Sequence, residues 1–372
     1  MSSTVIPSAR YPEITPRGEE LASRILESVT AASELLTIEL GRRLGLYTAL
    51  ADAAETTAPQ LARRAGIAPR YAREWLEQQA AAGILDVVEA SDVADNRGYR
   101  LPEAHAEVLL DEEHPLHMMG AAQLLAGIAL TLPEVEEAYR AGRGIPFERF
   151  GAELREGIAT LNRPGFARDL GSWISTMPDI AASLNRGGMV LDAGCGTGWS
   201  TVAIAHAFPN VRVIGIDLDA TSIEAARRNA EEAGVANRVV FVRGNTADAD
   251  SVEPLFAGDC VLVTVFEALH DMGSPVRALQ RFRSVLAPGG AVLVADERVA
   301  DEFVAPAGEI ERFQYAVSVL HCLPATLAES DDTANGTVLR APTVRLWADE
   351  AGFTRTVELP VEHEFWRFYR LD

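Results

Sequence analysis

The sequence predicts an α/β protein, in which a largely helical N-terminal part joins a mostly parallel, seven-stranded sheet. Three observations carry this. Short apolar runs alternate with helical patterns through the C-terminal half. A glycine-rich turn follows the first of those runs. Helix, turn, helix and hairpin signals succeed one another between residues 57 and 101.

The elements follow in order. Residues 1–20 carry Pro7, Pro12 and Pro16 among polar residues and read as a loose arm. From Leu21 to about Leu50, apolar residues such as Ile25, Val29, Leu36 and Leu40 recur at helical spacing. Thr57 can cap a short helix over Ala58–Ala65, with Pro59 in its first turn. Gly66 turns the chain into a second helix from Pro69 to about Ala82, closed by Gly83. Ile84–Val88 and Tyr99–Leu101 then flank the polar stretch Glu89–Gly98. That is the order of a winged helix, and it delimits a domain over residues 21–110. Residues 111–185 read as amphipathic helices, broken at Gly142–Pro146, that bridge to the next domain and cap a substrate cavity. Residues 186–372 hold strand candidates at Met189–Asp192, Val211–Asp217, Val239–Arg243, Cys260–Val265 and Ala291–Asp296. Helical stretches such as Trp199–Phe208, Ala220–Glu232 and Pro275–Leu286 separate them. Apolar runs alternating with helices mean parallel strands covered on both faces. Two late strands, Thr354–Leu359 and Glu364–Leu371, complete the seven.

Composition narrows the function. A chain of 372 residues suggests two or three domains with cores large enough to need no disulfides. All 33 basic residues are arginine, and there is no lysine. That excludes a Walker-type phosphate lysine, a pyridoxal Schiff base and a kinase strand lysine. A net charge of −21 repels nucleic acid and anionic membranes. Between Leu21 and Leu110, nine arginines face thirteen acidic residues, a net of −4. The winged helix is therefore predicted to serve a homodimer rather than DNA readout, although Arg70 and Arg73 lie on its second helix. Cys195, Cys260 and Cys322 show no paired spacing and read as reduced core thiols. There is no signal-peptide pattern, and Leu116–Leu132, interrupted by His117 and Gln123, reads as a buried helix. The expectation is a cytoplasmic protein with a small-molecule partner, no nucleic acid and no membrane.

The most informative segment runs from Val190 to Gly198. Asp192 closes a strand, and Gly194, Gly196 and Gly198 allow a tight turn and close approach of a ligand to the backbone. A bare GxGxG is a weak signal, met by any tight turn from strand to helix. The second strand sharpens it by ending at Asp217, 25 residues after Asp192, where a carboxylate can take both hydroxyls of a ribose. A nicotinamide dehydrogenase shares that acid but more usually has GxGxxG. Together these residues resemble motif I of class I S-adenosylmethionine (SAM)-dependent methyltransferases, which have a Rossmann-like fold. The match covers roughly residues 185–300. It implies that Gly194, Gly196 and Gly198 form the loop under the methionine part, with Asp192 beside the cofactor at the strand end before them. Asp217 and Leu218 would hold the ribose. Asn245 and Thr246 stand where the family often has Gly-Asp for the adenine, a departure at Asn245. Phe266 and Glu267 fall where the pocket closes, and Leu286–Gly290 matches the turn before the fifth strand.

Seven histidines remain. His105, His114, His117 and His206 show no partner pattern and read as structural or surface residues. His270 follows the fourth strand, at the carboxyl edge where open α/β sheets bind ligands. Its Leu-His-Asp segment resembles the catalytic segment of plant-type O-methyltransferases, which also carry an N-terminal winged-helix dimerisation domain. That implies His270 as general base, oriented by Asp271. The chain also resembles bacterial 2-oxo-acid C-methyltransferases. There the resemblance implies Zn²⁺ or Fe²⁺ held by His270 and His321, an enolised 2-oxo acid, and attack of its carbon on the methyl. Arg155 or Arg163 would neutralise the substrate carboxylate, and His363 would join the substrate pocket. The blander reading makes His321 and His363 helix and turn histidines. An ending like Glu362–Tyr369 behind a winged helix is similar to a broad family of bacterial methyltransferases. The leading expectation is C-methylation of a 2-oxo acid at a histidine-bound metal. Metal-free O-methylation with His270 as base is the alternative. A SAM-sensing DNA-binding regulator using Arg63, Arg64, Arg70 and Arg73 is the third.

Overall fold

The computed structural model describes residues 15–252, 258–330 and 334–372. Contacts divide the chain after Pro102 into two compact units. Most of the expected N-terminal arm lies outside the described residues. Its last part, from Pro16, is helical instead.

In the first unit, helix α1 spans Pro16–Arg43, and the Thr15 side chain accepts the Gly18 N–H at its start. Pro16 at the first helical position is preorganised for a helix, which explains the early start. The single helix expected up to Leu50 is two. Gly45, at φ 64°, breaks the chain before α2 (Leu46–Ala51). Helix α3 (Ala58–Ala65) opens on a capping box between Thr57 and Gln60 and ends at left-handed Gly66. Helix α4 (Pro69–Ala81) follows. Strands β1 (Asp86–Glu89) and β2 (Gly98–Arg100) pair antiparallel as the wing. Leu46, Tyr47, Leu50, Leu61, Leu76 and Tyr99 form the buried centre.

The second unit opens with α5 (Glu103–Leu110), α6 (Met119–Ala141), α7 (Gly151–Ser175) and α8 (Pro178–Arg186). Helices α6 and α7 approach closely because glycines face each other. A Cβ at Gly120 would stand 2.6 Å from the Gly157 carbonyl oxygen, and one at Gly127 2.6 Å from the Leu154 nitrogen. No helix among the described residues is long and apolar enough to cross a membrane. The sheet region then runs β3 (Gly188–Ala193), α9 (Trp199–Ala207), β4 (Val211–Asp217), α10 (Ala220–Glu232), β5 (Val239–Arg243), α11 (Ala249–Val252) and β6 (Cys260–Phe266). It continues with α12 (Pro275–Val285), β7 (Leu286–Glu297), α13 (Glu309–Val317), a π-helical turn (Ser318–Cys322), α14 (Leu323–Glu329), α15 (Ala341–Glu350), β8 (Thr356–Glu358) and β9 (Trp366–Leu371).

Seven strands lie in the order β5-β4-β3-β6-β7-β9-β8. The first five are parallel, and β9 runs antiparallel to both β7 and β8. The central strands are buried on both faces. Val190 packs on one side and Leu191 on the other, as do Leu262 and Val263. From β3 the chain steps outward to β4 and β5, then returns to β6 on the opposite side of β3. That reversal opens a crevice at the carboxyl ends of the strands, where open sheets of this kind bind ligands.

Candidate active site

The crevice holds a cavity of about 490 Å³. Its floor is the turn after β3. Gly194 and Gly196 take positive φ of 71° and 51°. A Cβ at Gly194 would meet the Ala268 Cβ at 2.6 Å, so only glycine fits there. At the end of β4, Asp217 Oδ2 accepts the Gly196 N–H at 2.8 Å and Oδ1 accepts the Asp219 N–H at 2.9 Å. Each oxygen keeps a lone pair for a ligand hydroxyl. Burial pushes the Asp217 carboxyl up to about 6, against the lowering effect of the two backbone donors. Leu218, Asn245, Thr246 and Phe266 also line the cavity. Asn245 spends its side-chain oxygen on the Ala247 N–H at 2.8 Å. Residues and cavity fit SAM: a backbone cradle without Cβ atoms beside a carboxylate placed for a diol.

Two residues expected at the cofactor stand behind it. Asp192 is buried outside the cavity lining. Its Oδ2 accepts the Ser200 and Thr201 hydroxyls, each at 2.6 Å, and its Oδ1 accepts the Thr264 hydroxyl at 2.8 Å. It ties the first turn of α9 to the sheet and so fixes the loop from below. Gly198 is packed under the same loop, where a Cβ would meet Ala226 at 2.8 Å and Phe241 at 2.9 Å.

The arginines expected to meet a substrate carboxylate are otherwise engaged. Arg155 lines the cavity, but its Nε donates to Asp219 Oδ2 at 2.7 Å in a buried ion pair. Asp219 also accepts the Ser222 N–H at 2.9 Å and caps α10. The Asp-Ala-Thr-Ser opening of that helix is an N-cap signal that sequence reasoning passed over. Arg163 lies outside the cavity lining, its guanidinium 3.9 Å over the Trp199 ring and paired with Glu112. His363 is a turn histidine. Its Nδ1 accepts the Trp366 N–H at 3.0 Å, its ring stacks on Trp366 at 4.8 Å, and burial holds its pKa below the usual range.

Beside the large cavity lies a smaller one of about 80 Å³, and Asn162, Glu267 and Asp271 line both. His270 stands on its wall, in the turn Leu269–Asp271. Its Nδ1 is 2.8 Å from Asp296 Oδ1, and its backbone N–H donates to Asp296 Oδ2 at 3.2 Å. The carboxylate that orients the ring is thus Asp296, at the end of β7, and not Asp271. Asp271 Oδ1 lies 3.3 Å from Nε2, the nitrogen left for chemistry. Burial opposes a charge on His270, but Asp271 and Asp296 outweigh it and raise its pKa well above the usual histidine range. His321, on the π-helical turn, is buried edge-on to the Phe150 and Phe147 rings at 4.5 and 5.6 Å, with Nδ1 3.3 Å from Cys322 Sγ. Burial lowers it to about 3, so it is neutral. The metal-ligating atoms that converge among the described residues belong to His270, Asp271 and Cys322, within 4.8 Å of one another. His321 does not join that set.

Four further polar residues gather here that spacing did not reveal: Asn162, Glu297, Gln314 and Asp296. Asn162 donates to Glu267, and Gln314 donates to Glu297. Glu267 itself sits at φ 49°, a left-handed conformation rare outside glycine. Such strain persists only where the surroundings enforce it, and it concentrates at functional sites. Asp296 ends a predicted strand at its carboxyl edge and Glu297 follows it, so topology was the signal that could have found them.

Comparison with known proteins agrees with this geometry. Residues 184–336 match the family described as Methyltransferase domain, and residues 31–110 match the Rv2258c-like winged HTH domain. The O-methyltransferase rstn1 of Aspergillus nomiae is 31% identical over 142 residues, which cover 38% of this chain and 57% of that protein. The curated relatives first matched are spanned over 23 to 57% of their length. A putative O-methyltransferase from Nostoc punctiforme PCC 73102 superposes with a TM-score of 0.68 at 20% identity, covering 94% of this chain and 98% of that one. Human N-acetylserotonin methyltransferase in complex with SAM gives 0.66 at 14% identity, covering 94% and 97%. The chain thus carries a methyltransferase domain over residues 184–336, joined in sequence to a winged helix-turn-helix domain over residues 31–110.

Proposed function

We propose that the chain methylates a hydroxyl oxygen of a small molecule from SAM, with His270 as general base. The observation that carries this is the buried His270–Asp296 pair beside the two adjoining cavities. When bound, SAM supplies an electrophilic methyl group. Gly194, Gly196 and Asp217 would hold it, with Leu218, Asn245, Thr246 and Phe266 around it. A carboxylate only accepts, so Asp296 keeps the hydrogen on Nδ1; because the two carboxylates raise the ring's pKa, Nε2 must first give up its own proton before it takes the acceptor's, and turnover should rise with pH. The imidazolium formed then stands between Asp296 and Asp271. Relatives named as O-methyltransferases support the oxygen acceptor.

A second reading keeps C-methylation of a 2-oxo acid at Zn²⁺ or Fe²⁺. It is favoured by the converging donors His270, Asp271 and Cys322 and by the buried His321 Nε2, which has no hydrogen-bond partner. Both readings need His270 Nε2, so they exclude each other. Methyl transfer to a panel of phenols and 2-oxo acids, with and without a chelator, decides. Chelator-resistant O-methylation is expected; transfer to carbon that requires metal would replace this reading with the second.

The proposal extends to assembly and place. Leu21, Ile25, Val29, Leu36 and Leu40 share one face of α1 and are all exposed. Covering them in a homodimer through residues 21–110 buries that stripe. Light scattering should report a dimer that Leu36→Glu with Leu40→Glu converts to a monomer. Three free, buried cysteines support a cytoplasmic protein.

A further inference from the structure

The order of the strands gives the cofactor cavity a direction. Strands β6, β3, β4 and β5 stand side by side in that order. His270 follows β6, the glycine turn follows β3, and Asp217 ends β4. A cofactor with its reactive end toward His270 and its ribose at Asp217 therefore leaves its nucleobase to the end of β5. Arg243 pairs with Asp217 across those two strands, and the Gly244 N–H donates to the Asp217 carbonyl oxygen at 3.0 Å. Asn245 comes next and lines the cavity, one residue past that contact.

This end of the cavity offers donors. Asn245 Oδ1 accepts the Ala247 N–H at 2.8 Å, and the Asn245 carbonyl accepts the Asp248 N–H at 3.1 Å. The amide nitrogen of Asn245, with two hydrogens to give, has no partner among the described residues. Turning the amide over would set its NH₂ against the Ala247 N–H, two donors face to face, so the oxygen stays away from the ligand. Arg243 also lines the cavity, with Nε on the Leu218 carbonyl at 3.2 Å, and a guanidinium only donates. Asp248 is exposed and outside the lining. Glu329 lines the cavity, but its Oε2 accepts the Gly273 N–H at 3.2 Å, on the β6 side. Adenine presents ring nitrogens that accept and a 6-amino group that donates. Side chains that only donate can bond the first and leave the second unread. A purine with oxygen at that corner meets the same donors with an acceptor.

We propose that Asn245 sets the base specificity of the cofactor site, and that the site takes a 6-oxo purine as well as the 6-amino purine of SAM. The pinned amide donates to a ring nitrogen of adenine or to the 6-oxygen of hypoxanthine. The inference rests on the cofactor site alone and holds whichever atom of the acceptor is methylated.

The test is calorimetry on the full chain with two probes: S-adenosylhomocysteine, and S-inosylhomocysteine, the same molecule with oxygen in place of the 6-amino group. The wild type should bind the two within about threefold of each other. Asn245→Asp keeps one oxygen on the Ala247 N–H and turns the other to the base, where it accepts from the amino group and repels the 6-oxygen. That variant should prefer S-adenosylhomocysteine by at least about tenfold, the effect of one hydrogen bond to a charged acceptor. The ratio is the readout, so a general weakening beside Asp217 cancels. Asn245→Ala should weaken both probes by a similar factor, about three- to tenfold, and keep the ratio near one. It decides the matter if the aspartate variant binds neither. A wild type that prefers S-adenosylhomocysteine tenfold overturns the proposal, and if Glu329→Gln abolishes that preference, Glu329 is the residue that reads the amino group. An aspartate variant that binds both probes equally overturns it too, as does an alanine variant with unchanged affinity for both. A wild type that binds neither probe would remove the cofactor site itself, whereas unequal binding of the two leaves that site standing.

Discussion

At the cofactor end of the cleft, a ligand meets mostly main chain: the turn around Gly194 and Gly196, with one carboxylate, Asp217, pinned by two backbone N–H groups. At the end beside His270, where the proposal places the acceptor, it meets side chains from seven separate places: α6, α7, the turn after β6, the end of β7, α13, the π-helical turn and the segment before α15. The first arrangement comes with the topology of the sheet, because any chain with this strand reversal brings those backbone groups together. The second has to be specified residue by residue. A single substitution at Gln314 or Glu297 redraws it without touching the turn below β3. The lesson is a division of labour. One end of the cleft is fixed by the fold, and the other is open to change of acceptor.

Separability is the content of that comparison, and the largest effect tests it most directly. Removing a general base costs about 10²–10⁴-fold in rate. His270→Ala should therefore lower turnover by that much while calorimetry shows SAM affinity close to wild type. A matching loss of SAM affinity would break the comparison, because the two ends would then be one site. Asp296→Asn comes next. It keeps the shape but no longer fixes the hydrogen on Nδ1, and turnover should fall by about 10–100-fold, on the order of 1.4–2.7 kcal/mol in the barrier. Asp271→Asn should cost less than Asp296→Asn, since Asp271 faces Nε2 and does not orient the ring. The reverse order would restore Asp271 to the role that the Leu-His-Asp segment alone suggests.

The same division explains which parts of the molecule are legible in the sequence. Gly194, Gly196 and Asp217 are legible because main-chain sites demand glycine at fixed spacing and an acid at a strand end. The strands are legible for the related reason that β3, β4, β6 and β7 are buried on both faces and read as short apolar runs. Asp192 shows the limit: its position is conspicuous, yet spacing cannot tell a carboxylate that faces a ligand from one that holds Ser200, Thr201 and Thr264 behind it. Nothing local marks Asn162, Glu297 or Gln314, which meet only when helices distant in sequence pack over the sheet edge. Charge alone singles out Arg155, and the partner that takes up that charge, Asp219, lies 64 residues away.

Asp217 gives a smaller effect with its own signature. Losing a charged hydrogen bond costs about 1.5–3 kcal/mol. Asp217→Ala should weaken SAM binding by at least about tenfold and leave turnover at saturating SAM much less affected. Its carboxyl, raised by burial to about 6, adds a pH dependence. Ribose hydroxyls need the ionised form as acceptor. Affinity should hold above pH 6 and decline as pH falls below it, because protonation then competes with the ligand. Asp217→Asn should bind SAM weakly with no such decline. A wild-type affinity that is flat from pH 5 to pH 8 would remove this carboxylate from the ribose site.

The smallest expected effect on turnover is at Arg155, and it sharpens the comparison because α7 serves both ends. Asn162, two turns along that helix, reaches Glu267 at the acceptor end, while Arg155 reaches Asp219 at the cofactor end. The Arg155–Asp219 pair is buried, 7% and 5% exposed. Removing one partner of such a pair leaves an uncompensated charge and destabilises by about 3–5 kcal/mol. Arg155→Met should therefore lower the unfolding free energy by that order in a denaturant titration. The double change Arg155→Met with Asp219→Asn should recover most of it, since the introduced asparagine can still cap α10 and no lone charge remains. If the two ends are independent, turnover of folded Arg155→Met at saturating SAM should stay within about threefold of wild type, although the sequence alone points to contact with the substrate. A hundredfold loss in the folded variant would mean that Arg155 leaves Asp219 to meet the acceptor, and a carboxylate acceptor would then fit the cleft after all.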